Sequence, residues 1–367
     1  MYVNLATSTL FLGSLGLLQP VEPAPGKTST SAGLGALGLV FSVQALIGAR
    51  WLMSRNWSAA LVGLVAPISP FLGIFDGDPW LHNFAFFGYS VPLLLATPIM
   101  QLLLAWLCVQ TTVRKLINPL DPPYSKRTAY IALLIFDVLA GAVLFEPPPA
   151  GMPLAQRCAA FCLAHLLVSL VLINNVTPWR ESLHSWIWRL RGPVARLRDL
   201  WLGARSETGL ALITFCIIGA VGVALLVVVP QGLDQGFTEW RAHPELILSE
   251  VASMSLLVLA LGTLYQWCVA VGGRSGRGVF LSITLLLTVP AHVAGRYWQL
   301  PLLEATSPSA HFQQWLSEGA PLAVAPLLLT FGTVLVLSRL LVHRYISRAG
   351  AVVRRKLEIM GVTRAIA

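Results

Sequence analysis

Four ionisable residues lie deep inside long apolar stretches of this chain: Asp137 in Ile-Phe-Asp-Val-Leu, His165, Glu250 and His292. Arg296 stands at the edge of the stretch that holds His292, one helical turn further on. Burying such groups in an apolar medium is expensive, so each is expected to serve a substrate or proton path, or a polar bond between packed helices. Cys158, Cys162 and His165 follow one another at i, i+4 and i+7, which puts three soft ligands on one helix face. No fourth ligand stands beside them in the sequence. All five cysteines fall in or at the edge of apolar runs, where a thiol behaves as a small hydrophobe. Neither a metal nor another cofactor is expected.

Resident catalytic motifs are absent from the pattern. There is no HExxH, GxSxG, paired-carboxylate or paired-histidine signature of hydrolysis, glycosyl transfer or quinone chemistry. The run Gly272-Gly-Arg-Ser-Gly-Arg-Gly278 resembles a phosphate loop at first sight, but it lacks the Gly-Lys-Ser/Thr ending and joins two apolar runs rather than a strand to a helix. A tight basic turn is expected there.

The elements that must carry these residues follow from composition. The chain has 367 residues, 56% of them hydrophobic and 11% charged, with a mean hydropathy of +0.73. A soluble domain carries about 25% charged residues. Apolar runs near 4–19, 33–53, 57–75, 84–112, 129–145, 155–176, 208–230, 248–271, 278–297 and 321–342 approach or exceed the ~20 residues a bilayer crossing needs. The expected fold is all-α, a polytopic transmembrane bundle of about ten spans. The first run is read as a short helix rather than a cleaved leader, because no basic segment precedes it.

Charge orients the spans. Alternate connections hold 21 of the 25 Lys and Arg, from Arg50 to Arg364, leaving Lys27, Arg157, Arg241 and Arg296 on the other side. By the positive-inside rule both termini are cytoplasmic, and the chain belongs in the cytoplasmic (inner) membrane as a multi-pass protein. The formal charge of +9 brings no nucleic-acid motif with it; anionic lipid headgroups are its expected partner, at the basic loops and at the basic, helix-patterned tail 343–367.

Two connections on the basic side have patterns of their own. Asn118-Pro-Leu-Asp-Pro-Pro-Tyr-Ser-Lys-Arg127 is a proline-stiffened turn whose Ser125 is placed to cap the next helix. Between 179 and 207, Leu183, Trp186, Ile187, Leu190, Val194, Leu197 and Trp201 recur at helical intervals among arginines, the pattern of an amphipathic helix on the membrane surface, broken near Gly192-Pro193.

These two connections, together with Thr177-Pro-Trp-Arg-Glu181 and Ser307-Pro-Ser-Ala-His-Phe312, give a pattern that resembles bacterial ABC transporter permease subunits of the type-two exporter class. Members of that class begin with an amphipathic helix ahead of the first span, whereas this chain opens in an apolar run. The resemblance implies a membrane-spanning permease subunit of an ATP-driven export system, with hydrolysis in a separate cytoplasmic ATPase, and homo- or hetero-oligomeric assembly. It places ATPase docking on Pro119, Asp121, Lys126, Arg180, Glu181, Arg189 and Arg191, and a substrate path among Asp137, His165, Glu250, His292 and Arg296. Two other readings stay open: a membrane-embedded enzyme acting on lipid or glycan, and a non-catalytic scaffold subunit.

Overall fold

The computed structural model describes residues 83–86, 89–92, 106–107, 109–118, 121–145, 154–178, 180–190, 196–203, 206–229, 244–308 and 324–359. The spans expected at 4–19, 33–53 and 57–75 lie outside them, as do Pro119 and Arg191. The chain divides into two compact units, Met1–Pro119 and Leu120–Ala367.

In the first unit, strands β1 (Asn83–Phe86) and β2 (Tyr89–Pro92) pair antiparallel, with Phe86 opposite Tyr89. This corrects the expectation of a helical span from residue 84. Aromatic residues and Val91 favour extended backbone, and Pro92 cannot donate to a longer ladder. Helical backbone covers 106–107 and 109–117, so the later part of the expected run is helical.

The second unit is built from helices. Helix α1 (Lys126–Leu144) starts where expected, because Ser125 has extended backbone and its side chain accepts a 3.0 Å hydrogen bond from the Thr128 N–H. Then come α2 (Leu154–Val176), a 3₁₀ turn (Arg180–Ser182), α3 (Leu183–Leu190) and α4 (Leu197–Leu202). They are followed by α5 (Gly209–Val228), α6 (Pro244–Gly272), α7 (Gly276–Tyr297), α8 (Pro301–Glu304) and α9 (Val324–Ile359).

Five of these helices, α2, α5, α6, α7 and α9, are long and apolar enough to cross a membrane. They coincide with the runs at 155–176, 208–230, 248–271, 278–297 and 321–342, and α1 covers the run at 129–145. Twenty helical residues rise about 30 Å, the thickness of the hydrocarbon layer. The chain is a multi-pass integral membrane protein.

Helices α1, α2, α5 and α6 form the packed core: α1 lies against α2 and α5, and α2 and α5 both lie against α6. Phe161, Phe215, Leu133, Ile173, Leu212 and Met254 fill it. Helices α7 and α9 pack on α6 from outside, and α7 is exposed along nearly its whole length. The basic tail is no separate element, since α9 runs unbroken from the span through it to Ile359. Helix α3 buries Ile187 and lies on α9. The amphipathic connection therefore spends its apolar side, at least in part, on protein.

Candidate functional site

Asp137 and His165, 28 residues apart in sequence, meet in the core. Asp137 Oδ2 of α1 is 2.8 Å from His165 Nδ1 of α2, and both side chains are almost wholly enclosed. One turn along α2, Ser169 Oγ lies 3.3 Å from His165 Nε2. Phe161, one turn earlier on α2, lies nearly parallel to the imidazole with ring centroids 6.3 Å apart. Gly219 of α5 admits this geometry. A Cβ at that position would stand 2.7 Å from both His165 Nε2 and Met254 Cε, so only glycine lets three helices converge there without displacement.

Glu250 enters from α6. Its side chain is 1% exposed and its Oε2 has no hydrogen-bond partner among the described residues, as is also true of Asp137 Oδ1. Met254, one turn along α6, touches the Gly219 junction, so Glu250 lies on the same face of α6. Cys162 lies within electrostatic reach of both Asp137 and Glu250, and Cys158 within reach of Glu250 and Arg157. Among the described residues no three His, Cys, Asp or Glu side chains are arranged to hold a metal ion.

The order carboxylate, imidazole, hydroxyl is that of a nucleophilic relay. Ser169 is 1% exposed, within the helix core. What the array can do is hold a proton and pass it along a 2.8 Å hydrogen bond.

His292 and Arg296 belong elsewhere. They lie near the end of α7, which packs on α6 and α8; Arg296 is exposed, and His292 Nδ1 is 4.0 Å from Glu304 Oε1 of α8. The five residues expected to line one path therefore divide into a core group, Asp137, His165 and Glu250, and a peripheral pair.

The expected docking residues divide as well. Asp121 and Arg189 bond to each other at 2.8 Å, tying the proline-rich turn to α3. Arg180 is exposed and donates to the Val271 carbonyl at the end of α6, and Glu181 belongs to the same 3₁₀ turn. Lys126 is not an open docking group. Its ammonium is buried and donates to the Ser206 carbonyl (2.8 Å), to Ser206 Oγ and to the Glu207 carbonyl (3.0 Å), because the chain entering α5 supplies a nest of acceptors there. Glu207 in turn pairs with Arg339 of α9. Ser169, Ser206, Glu207, Glu304 and Arg339 had no distinguishing sequence signal, apart from the i+4 spacing of Ser169 from His165.

Two expected outcomes arise from this end of the bundle. Burial lowers the Lys126 ammonium from its ordinary 10.5 to about 8, with the Glu207 charge opposing the shift. Between about 8 and 10.5 the unfolded chain keeps a proton that the folded chain has released, so stability rises with pH across that window, by up to about 3 kcal/mol. Thermal midpoints of wild type and Lys126→Met, compared from pH 7 to 10.5, should diverge over that window; parallel curves would refute the assignment. The Asp121–Arg189 pair is partly solvated, so Arg189→Ala should cost only about 0.5 kcal/mol and lose its effect in high salt.

No protein family, curated protein or solved structure matches the chain, and its function rests on the residues described above.

Proposed function

We propose that the chain is the membrane-spanning permease subunit of a transport system driven by a separate cytoplasmic ATPase. It sits in the cytoplasmic membrane, with about ten spans and both termini inside. The observation that supports this reading is the stiff, basic end of the bundle, bonded directly to spanning helices. Asp121–Arg189 joins the proline-rich turn to α3, Lys126 ties α1 to the start of α5, Glu207–Arg339 ties that start to α9, and Arg180 reaches the end of α6. A partner pushing on such a surface moves helices rather than a slack loop. Arg127, Arg196 and Arg198 remain exposed beside it.

Basic residues on the α9 extension, Arg344, Arg348, Arg354, Arg355 and Lys356, suit contact with anionic headgroups, each contributing about 1 kcal/mol near a charged surface. Substrate specificity then resides in helices, and hydrolysis in the partner.

Affinity purification of the full chain from its native membrane in mild detergent should recover an ATPase, and Arg196→Glu with Arg198→Glu should weaken that recovery several-fold. Stable recovery of other subunits without any nucleotide-hydrolysing protein would sink the reading in favour of a scaffold.

A further inference from the structure

The core group has polar atoms that its packing does not satisfy. Asp137 of α1 and Glu250 of α6 are both enclosed, and one oxygen of each, Oδ1 and Oε2, has no hydrogen-bond partner among the described residues. Asp137 Oδ2 has His165 Nδ1 at 2.8 Å. A carboxyl group enclosed in this way is favoured when it carries a proton or is paired with a cation.

The other ionisable groups around α6 are engaged elsewhere. On α5, Cys216 donates to the Ser255 carbonyl. On α7, Arg277 interacts with Tyr265 and His292 faces Glu304; on α9, Arg339 pairs with Glu207 and His343 is exposed. The ionisable residues of α2 are Arg157, Cys158, Cys162 and His165, all buried.

We propose that the α1–α2–α5–α6 core is a proton-binding site that holds exchangeable protons on the Asp137–His165 pair and on Glu250. A protonated carboxyl, or a carboxylate paired with an imidazolium, has no net charge, and zero is the net charge that a water-poor interior favours. Within the Asp137–His165 hydrogen bond the proton moves from Nδ1 to Oδ2 or back, breaking an N–H bond as an O–H bond forms, with no change in electron count. Ser169 receives or donates at Nε2, so either tautomer of His165 keeps a partner. The unpartnered Oε2 of Glu250 and Oδ1 of Asp137 are the atoms on which a carboxyl proton has room to reside.

Gly219 brings His165 and the Glu250–Met254 face of α6 together, so a change in protonation acts directly on the packing of α5 against α2 and α6. That coupling is what a membrane protein needs for a proton to bias its conformation. The site is independent of whether an ATPase drives the chain.

The test uses the wild-type full chain in lipid nanodiscs, where no variant has to fold. A membrane-soluble carbodiimide, which reacts with protonated carboxyl groups in apolar surroundings, should form an N-acylurea on Glu250 or Asp137, mapped by mass spectrometry. Its rate should fall about tenfold per pH unit above the transition. Infrared difference spectra should show a carboxylic-acid carbonyl band that disappears over the same range and is altered in Glu250→Gln and Asp137→Asn. Absence of both adduct and titrating band in monodisperse protein overturns the proposal. So does protection by sodium at constant pH, which makes the occupant a metal cation.

Discussion

Gly276→Ala should all but eliminate recovery of folded protein, while Gly278→Ala, two residues away, should leave it unchanged or slightly more stable. Helices α6 and α7 are joined by a single 3₁₀ turn, Gly273–Ser275, entered through Gly273 at φ 56°. A Cβ at Gly276 would lie 2.2 Å from the Cys268 carbonyl oxygen, 2.7 Å from its carbon and 2.8 Å from Val269 Cα. All three are main-chain atoms of α6, which cannot swing aside as a side chain does. Overpacking a core costs about 1–3 kcal/mol when side chains can adjust, and here the helix pair itself must open, so the cost should reach about 3 kcal/mol or more. At Gly278 nothing lies within 4 Å, and alanine gains up to about 1 kcal/mol of helix propensity. Monodisperse yield and thermal midpoint in detergent decide between them; equal behaviour of the two variants would show that the α6–α7 join is looser than described.

His165→Leu should destabilise the bundle more than Asp137→Leu, by about 3 against about 1–2 kcal/mol, and the double variant should cost less than the sum. Removing the imidazole strands Asp137 with neither oxygen bonded, since Oδ1 already lacks a partner. Removing the carboxyl leaves an imidazole that still has Ser169 at Nε2. Hydrogen bonds between spanning helices often contribute only about 0.6 kcal/mol, because the unfolded chain in the membrane also finds partners for its polar groups. This pair stands at the upper end, because both side chains are almost wholly enclosed in the folded bundle. A coupling energy of about 1–2 kcal/mol in the double-mutant cycle is expected, and additivity within about 0.3 kcal/mol would mean that the two groups do not bond in the membrane.

Much of the architecture was legible in the residues. Spans at 155–176, 208–230, 248–271, 278–297 and 321–342 were marked by unbroken apolar runs, because the bilayer demands a length that few soluble segments meet by chance. Ser125 announced the start of α1 through a local capping bond, which depends on residues only three apart. The run from 84 misled, since a period-free apolar stretch is compatible with helix and strand alike, and the short aromatic ribbon β1–β2 took its opening residues.

By itself the sequence determined that this chain lives in a membrane, where the long helices among the described residues lie and which residues were too costly to bury without a reason. It named Asp137, His165, Glu250, His292 and Arg296 because desolvation depends on residue type and on the surrounding run, both readable along one line. Only the tertiary structure decided that the first three share the helix core while the last two sit near α8, and that Lys126 serves an internal bond rather than an open surface. The physical reason is range. Hydropathy and capping act within a helix, whereas the facing of Asp137 towards His165, and of Lys126 towards Ser206, is set by which helices pack and by where a glycine such as Gly219 lets them approach.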